Sequence, residues 1–179
     1  MAATYLMRTN ISNAINKVMW ALYNGTGSGK IIRVYRVFMY PISSAALTGG
    51  MGIFVMDRFT GVPGGGAAVT LVKHNSVSAA VPAQVSALDG DTAITGSLTS
   101  AGIIRVVCRS NDDLDETAAT LEEFQQLHAF GALIYDGGYG DTNVEPIVLR
   151  ETEGLRMYST NAGTWVATTY DLCIEMTIT

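Results

Sequence analysis

From Tyr170 to Thr179 the sequence alternates without a lapse. Tyr170, Leu172, Ile174, Met176 and Ile178 are large and apolar, while Asp171, Cys173, Glu175, Thr177 and Thr179 between them are polar or small. A period of two places successive side chains on opposite faces of an extended strand, so one face of this segment is built for burial. Such a strand cannot cover its apolar face alone. It needs a sheet, and the sheet needs a second layer.

The rest of the chain is punctuated to supply both, with short runs of Val, Ile, Tyr, Phe and Thr between clusters of Gly, Pro, Asn and Asp. Lys30 to Ile42 (KIIRVYRVFMYPI) is apolar on both faces apart from Arg33 and Arg36, which predicts a strand covered on two sides and ending near Pro41. Met51 to Phe59, Ala67 to His74 after the GVPGGG loop, and Ile103 to Arg109 after Gly102 read as core strands. Phe130 to Tyr135, Pro146 to Arg150 and Leu155 to Thr160 are shorter strand candidates. Asn75 to Ala101 is small, polar and irregular, a long loop with room for one short strand around Ala93 to Leu98. Two stretches have helical character. Thr120 and Glu123 form a capping box, and Leu121, Phe124 and Leu127 follow at helical spacing, so a short helix is expected over 120–127. Ile11 to Leu22 fits a helix through Ile11, Ile15, Val18, Met19 and Leu22, and a strand through VMWALY; the strand is favoured. These readings define an all-β chain of about eight strands, a sandwich or barrel. With 179 residues it is expected as a single domain over 1–179.

Composition narrows the partners. Charged residues make up 15% against 48% hydrophobic, and the net charge of −5 repels phosphate backbones, which argues against nucleic acid. No secretory leader is read in MAATYLMRTNISNAINKVMW, and no stretch has the ~20 consecutive apolar residues of a spanning helix, so a soluble protein with no membrane partner is expected. So sparse a charge on a surface rich in Ala, Thr, Ser and Gly suggests that much of it meets other chains, as an oligomer or an assembly.

Motifs of chemistry fall short one by one. NGTGSGK at Asn24–Lys30 approaches a phosphate-binding loop, but Asn24 stands where the first glycine belongs and Ile31 where Ser or Thr must follow Lys30. The expectation is a turn, most simply a hairpin loop before the Lys30 strand. DGDTA at Asp89–Ala93 begins like a calcium loop and lacks its third ligand and glycine. Ser28 is flanked by Thr26 and Lys30 where a nucleophile elbow needs glycines. His74 and His128 have no neighbouring carboxylate in sequence. Cys108 and Cys173 read as ordinary buried thiols, with a disulfide between them left open. No catalytic residue, metal or cofactor is expected.

NGTGSGKIIRVYRV, GGGAAVTLVKHNSVSAAVPAQV, EPIVLRETEGLRMYS and YDLCIEMTIT, taken together, resemble the β-sandwich decoration or cement proteins of tailed-bacteriophage capsids. The resemblance implies a jelly-roll-like antiparallel sandwich and no enzymatic activity. It also implies a homo-oligomer, a trimer, on the outer capsid surface of a virion, bound to the major capsid protein. An N-terminal segment, residues 1–11, is expected as an arm. Together with the long loop it furnishes the candidate partner contacts Tyr5, Arg8, Asn75, Val81, Pro82 and Gln84, because both segments are small or polar and lack a core of their own. The alternative is a carbohydrate-binding module of a phage fibre or tail, with Trp20, Tyr139, Tyr158 and Trp165 as stacking candidates. A cupin-like enzyme on the same architecture would need more histidines than two.

Overall fold

The structure, a computed structural model, describes residues 3–12, 16–41, 50–111, 133–138, 145–160 and 169–179. Twelve strands lie among them: β1 (Ala3–Ser12), β2 (Val18–Asn24), β3 (Ile32–Pro41), β4 (Gly50–Thr60), β5 (Gly64–Ala68), β6 (Val72–Lys73), β7 (Val85–Thr95), β8 (Thr99–Asn111), β9 (Leu133–Asp136), β10 (Ile147–Leu149), β11 (Glu153–Thr160) and β12 (Thr169–Ile178). They form two antiparallel sheets of six, one ordered β10-β3-β12-β1-β6 with β9 also on β3, the other ordered β5-β7-β2-β11-β4-β8. β9 and β10 are two halves of one interrupted strand, since β9 pairs with Arg36–Phe38 and β10 with Ile32–Val34. Counting them as one and setting β5–β7 aside leaves β1-β12-β3-β9/β10 packed on β2-β11-β4-β8. That order is an eight-stranded jelly roll. The inserted β5–β7 then widens both sheets beside β1 and β2.

The alternation of residues 170–179 is honoured by its apolar members, with Thr177 buried as well. β12 lies between β1 and β3, and Tyr170, Leu172, Ile174, Met176 and Ile178 are all buried in the sandwich. Across the layers Phe54 of β4 meets the Tyr170 ring edge-on, with centroids 5.6 Å apart. Each such side chain stabilises the fold by about 1.5–3 kcal/mol relative to exposure. β3 explains its own two-faced look. Ile32 and Val34 point inward, Tyr35 is skipped in the pairing with β12, and Val37 and Met39 then point inward again. The bulge shifts the phase by one residue, so apolar residues occupy both parities of the sequence.

Several expectations need correction. Residues 11–22 are neither one helix nor one strand: β1 ends at Ser12 and β2 begins at Val18, after Asn16 takes a left-handed φ of 57°. The NGTGSG segment is no hairpin loop, because β2 and β3 belong to different sheets and it carries the chain from one layer to the other. Ala67–His74 breaks into β5 and β6, and the segment read as irregular holds the eleven-residue β7. Ala3–Ser12 is a fully paired interior strand with Tyr5, Met7 and Ile11 buried, so the expected arm is part of the core. The expected 120–127 helix lies outside the described residues.

The outer face of the second sheet carries a small core of its own. Gly154 of β11 sits between Tyr23 and Phe59, and a Cβ there would lie 2.2 Å from the Phe59 ring. The bare backbone lets those two rings stack with centroids 6.0 Å apart. Ile94 of β7 and Leu98 of the β7–β8 connection pack on them. Beside this cluster Arg156 grips Asp57 by two hydrogen bonds, of 2.8 and 3.1 Å, and donates to the Leu98 carbonyl at 3.4 Å. Its guanidinium lies against the rings of Phe59 and Tyr158.

Candidate functional site

Residues 74–84 join β6 to β7 beside the widened edge, and their composition sets what they can do. Between Val69 and Leu88 the only Lys, Arg, Asp or Glu is Lys73. Even that charge is turned onto the loop itself, its Nζ donating to the carbonyls of Ser78 at 2.9 Å and Ser76 at 3.3 Å. A charge spent on main-chain carbonyls closes the turn and leaves the surrounding surface without one.

The loop is held from three sides. From beneath, the Tyr5 hydroxyl of β1 donates to the Ala79 carbonyl at 2.8 Å. At its start, His74 N–H donates to the Thr4 carbonyl, and Asn75 closes a local turn by accepting from Val77 N–H through Oδ1 and from Ser78 N–H through its carbonyl. At its end, Gly25 N–H donates to the Gln84 carbonyl at 2.9 Å, and Val85 N–H to the Pro82 carbonyl at 3.0 Å. A Cβ on Gly25 would stand 2.5 Å from the Gln84 oxygen, so only glycine permits that approach.

This frame presents two exposed valines. Val77 at the tip is 85% exposed and Val72 on the β6 edge is 56% exposed. A depression of about 650 Å³ lies on one side, lined by Thr4, His74, Asn75, Val77, Ser78 and Thr179 among others. A second, of about 380 Å³, is bounded by Val69, Leu71, Ala80, Val81, Pro82 and Val85 among others. Isolated exposed valines are ordinary; here Val77 stands on a braced loop without Lys, Arg, Asp or Glu, between two hollows.

The structure thus brings Asn75, Val81, Pro82 and Gln84 together on one loop. Tyr5 belongs to the same site in a different role, buried beneath the loop as its support. Arg8 does not join them. It lies on the opposite face of β1, exposed, and its guanidinium holds Asp171 of β12 in a forked pair at 2.7–3.1 Å. Val72, Val77 and Lys73 were not singled out from sequence. The charge-free run around them was the available signal.

The other motifs resolve into structure. In the glycine-rich segment the Gly29 N–H donates to the Glu151 carboxylate of the β10–β11 turn at 2.6 Å. Asp89 is engaged twice, accepting from Asp91 N–H at 3.2 Å and from the Thr9 hydroxyl at 3.1 Å. Trp20 is fully buried in the main core, and Tyr158 lies against Arg156. Cys173 is a free thiol, half-buried on the outer face of the first sheet, while Cys108 lies in the second sheet. Burial, then the Glu175 and Asp171 carboxylates, push the Cys173 thiol up against the opposing pull of Arg8. Among the described residues no group of His, Cys, Asp and Glu is placed to hold a metal ion.

No family model, curated protein or solved structure matches the chain.

Proposed function

We propose that the protein is a non-enzymatic structural component of a virion, a decoration or cement protein that bridges major capsid protein subunits on the outer surface of a bacteriophage capsid. The observation that carries this reading is the 74–84 loop: charge-free, apolar at its tip, and braced by Tyr5, Gly25 and Lys73 on the added edge of a jelly roll. A catalytic loop gathers ionisable groups, whereas here the flanking Lys73 is turned onto the carbonyls of Ser76 and Ser78 and the loop offers Val77, Val81 and Pro82 instead. Preorganised apolar surface loses little entropy on docking, which suits a protein whose task is lasting contact. A stable contact covers roughly 800 Å² per partner. One loop tip is smaller than that, so the flanking hollows share the interface, and side chains of the partner fill them. Self-association into a trimer supplies the remaining edges with neighbours.

The experiment compares particles carrying the wild-type protein, no protein, and the variant Val77→Asp/Val81→Asp. Wild-type particles resist heat better than bare ones, and the charged variant folds yet neither binds nor protects. Equal heat resistance with and without the protein removes the cementing role; full binding by the variant removes the loop from it. The carbohydrate-binding reading is tested in parallel on a glycan array. Of its aromatic candidates Trp20 is buried and Tyr158 lies against Arg156, while Tyr139 and Trp165 lie outside the described residues.

A further inference from the structure

Asn24 ends β2 at a corner where three segments meet, and nothing in the loop site uses it. Its side chain is fully buried. Nδ2 donates to the carbonyls of Lys30 at 2.8 Å and Leu149 at 3.2 Å, while Oδ1 has no hydrogen-bond partner among the described residues. With two carbonyls facing it, the terminal group at this position must offer two donor hydrogens, and an amide NH2 supplies both on one atom without a charge. The next residue must be glycine, because a Cβ at 25 would collide with the Gln84 carbonyl. Two separate packing demands therefore place Asn immediately before Gly. In an open chain that pair is chemically labile, since the unshielded glycine nitrogen can reach the asparagine side-chain carbonyl.

We propose that Asn24–Gly25 is a fold-gated self-modification site, silent in the native corner and converted irreversibly whenever residues 24–30 and 149–153 separate. The main-chain nitrogen of Gly25 attacks Cγ of Asn24, the new N–Cγ bond forms as the Cγ–Nδ2 bond breaks, and ammonia leaves with the proton of Gly25. Water then opens the five-membered imide at Cγ, giving aspartate, or at the Asn24 main-chain carbonyl carbon, giving isoaspartate. No oxidant or cofactor is consumed.

The native geometry blocks each part of this step. The attacking N–H is committed to Gln84, and Nδ2 is pinned by two carbonyls. The Asn24 backbone is locked by pairing with Val85 and Glu153 and by accepting from Thr152 N–H at 2.7 Å. Reaction waits on local opening, so its rate counts the open population. Once formed, aspartate would set a carboxylate oxygen against the Lys30 and Leu149 carbonyls in a site closed to water, and isoaspartate would add a backbone atom to a fully paired strand end. Neither product can rebuild the corner.

The test incubates the intact protein at mildly alkaline pH in native buffer and in denaturing urea, then maps amide loss at Asn24 by mass spectrometry. Conversion in urea is expected to exceed native conversion by more than about tenfold. On dilution from urea, unconverted chains regain the native unfolding midpoint and converted chains do not. Gly25→Ala, measured only in urea where packing at 25 is irrelevant, slows conversion. Equal rates in the two buffers, refolding of converted chains to an unchanged midpoint, or undiminished conversion in the alanine variant would each overturn the proposal.

Discussion

Asp57 and Arg156 are two formal charges withdrawn from water, with side chains 0% and 13% exposed. The pair is tolerated because its polar atoms are spoken for: Asp57 takes two guanidinium bonds and Arg156 spends a third donor on Leu98. Breaking it is a different matter from replacing it. Arg156→Met alone should cost about 3–5 kcal/mol in urea unfolding by stranding a buried carboxylate, while Asp57→Leu/Arg156→Met should recover most of that loss. Cys173 gives a prediction in pH. Its folded pKa lies above its unfolded one, so the neutral thiol is favoured by folding. That contribution is complete below the unfolded thiol value and is lost as pH rises through the folded value. Alkylation mapped to Cys173 should therefore need a higher pH in the native protein than in urea. Matching pH profiles would contradict the burial and carboxylate effects assigned to it.

Strands carry the next set of consequences. An arm can be cut away; β1 cannot. Removing residues 1–11 would withdraw Tyr5, Met7 and Ile11 from the core and expose the full length of β12, so the truncated chain should lose its cooperative thermal transition. A variant that melts like the full chain would restore the arm. The error in reading this segment from sequence has a physical origin. The bond that gives Tyr5 its purpose reaches across 74 positions to Ala79, and no local pattern encodes it. β12, β3, β4 and β11 were legible because large apolar residues announce a buried face. β5 and β7 were not, because GGGAA and VSALDGDTAIT carry few such residues and are held by their neighbours: Gly65 and Gly66 take left-handed φ values at a bulge against β7. NGTGSG announced a turn correctly and said nothing of its destination, since the same chemistry serves a hairpin or a passage between layers. The 74–84 loop was half legible. Its missing charge was plain in the sequence, while the three braces that make it rigid came only with the fold.

The whole molecule is closed by β12, whose neighbours β1 and β3 come from much earlier in the chain. Pairings of such long separation fold slowly, on the scale of milliseconds to seconds. A chain lacking residues 169–179 should fail to form the sandwich, and the peptide TYDLCIEMTIT added in trans should restore its near-ultraviolet circular dichroism by strand addition. No recovery at any peptide concentration would mean that the sheet closes by some other route. During translation the same topology acts as a clock. The slot between β1 and β3 stands vacant until β12 has been made, and before then the Tyr5 strand that props the outer loop has only the two-residue pairing with β6 beside it. The brace beneath residues 74–84 is therefore among the last parts of the sandwich to be secured, because the strand that carries Tyr5 gains its long pairing only when β12 arrives.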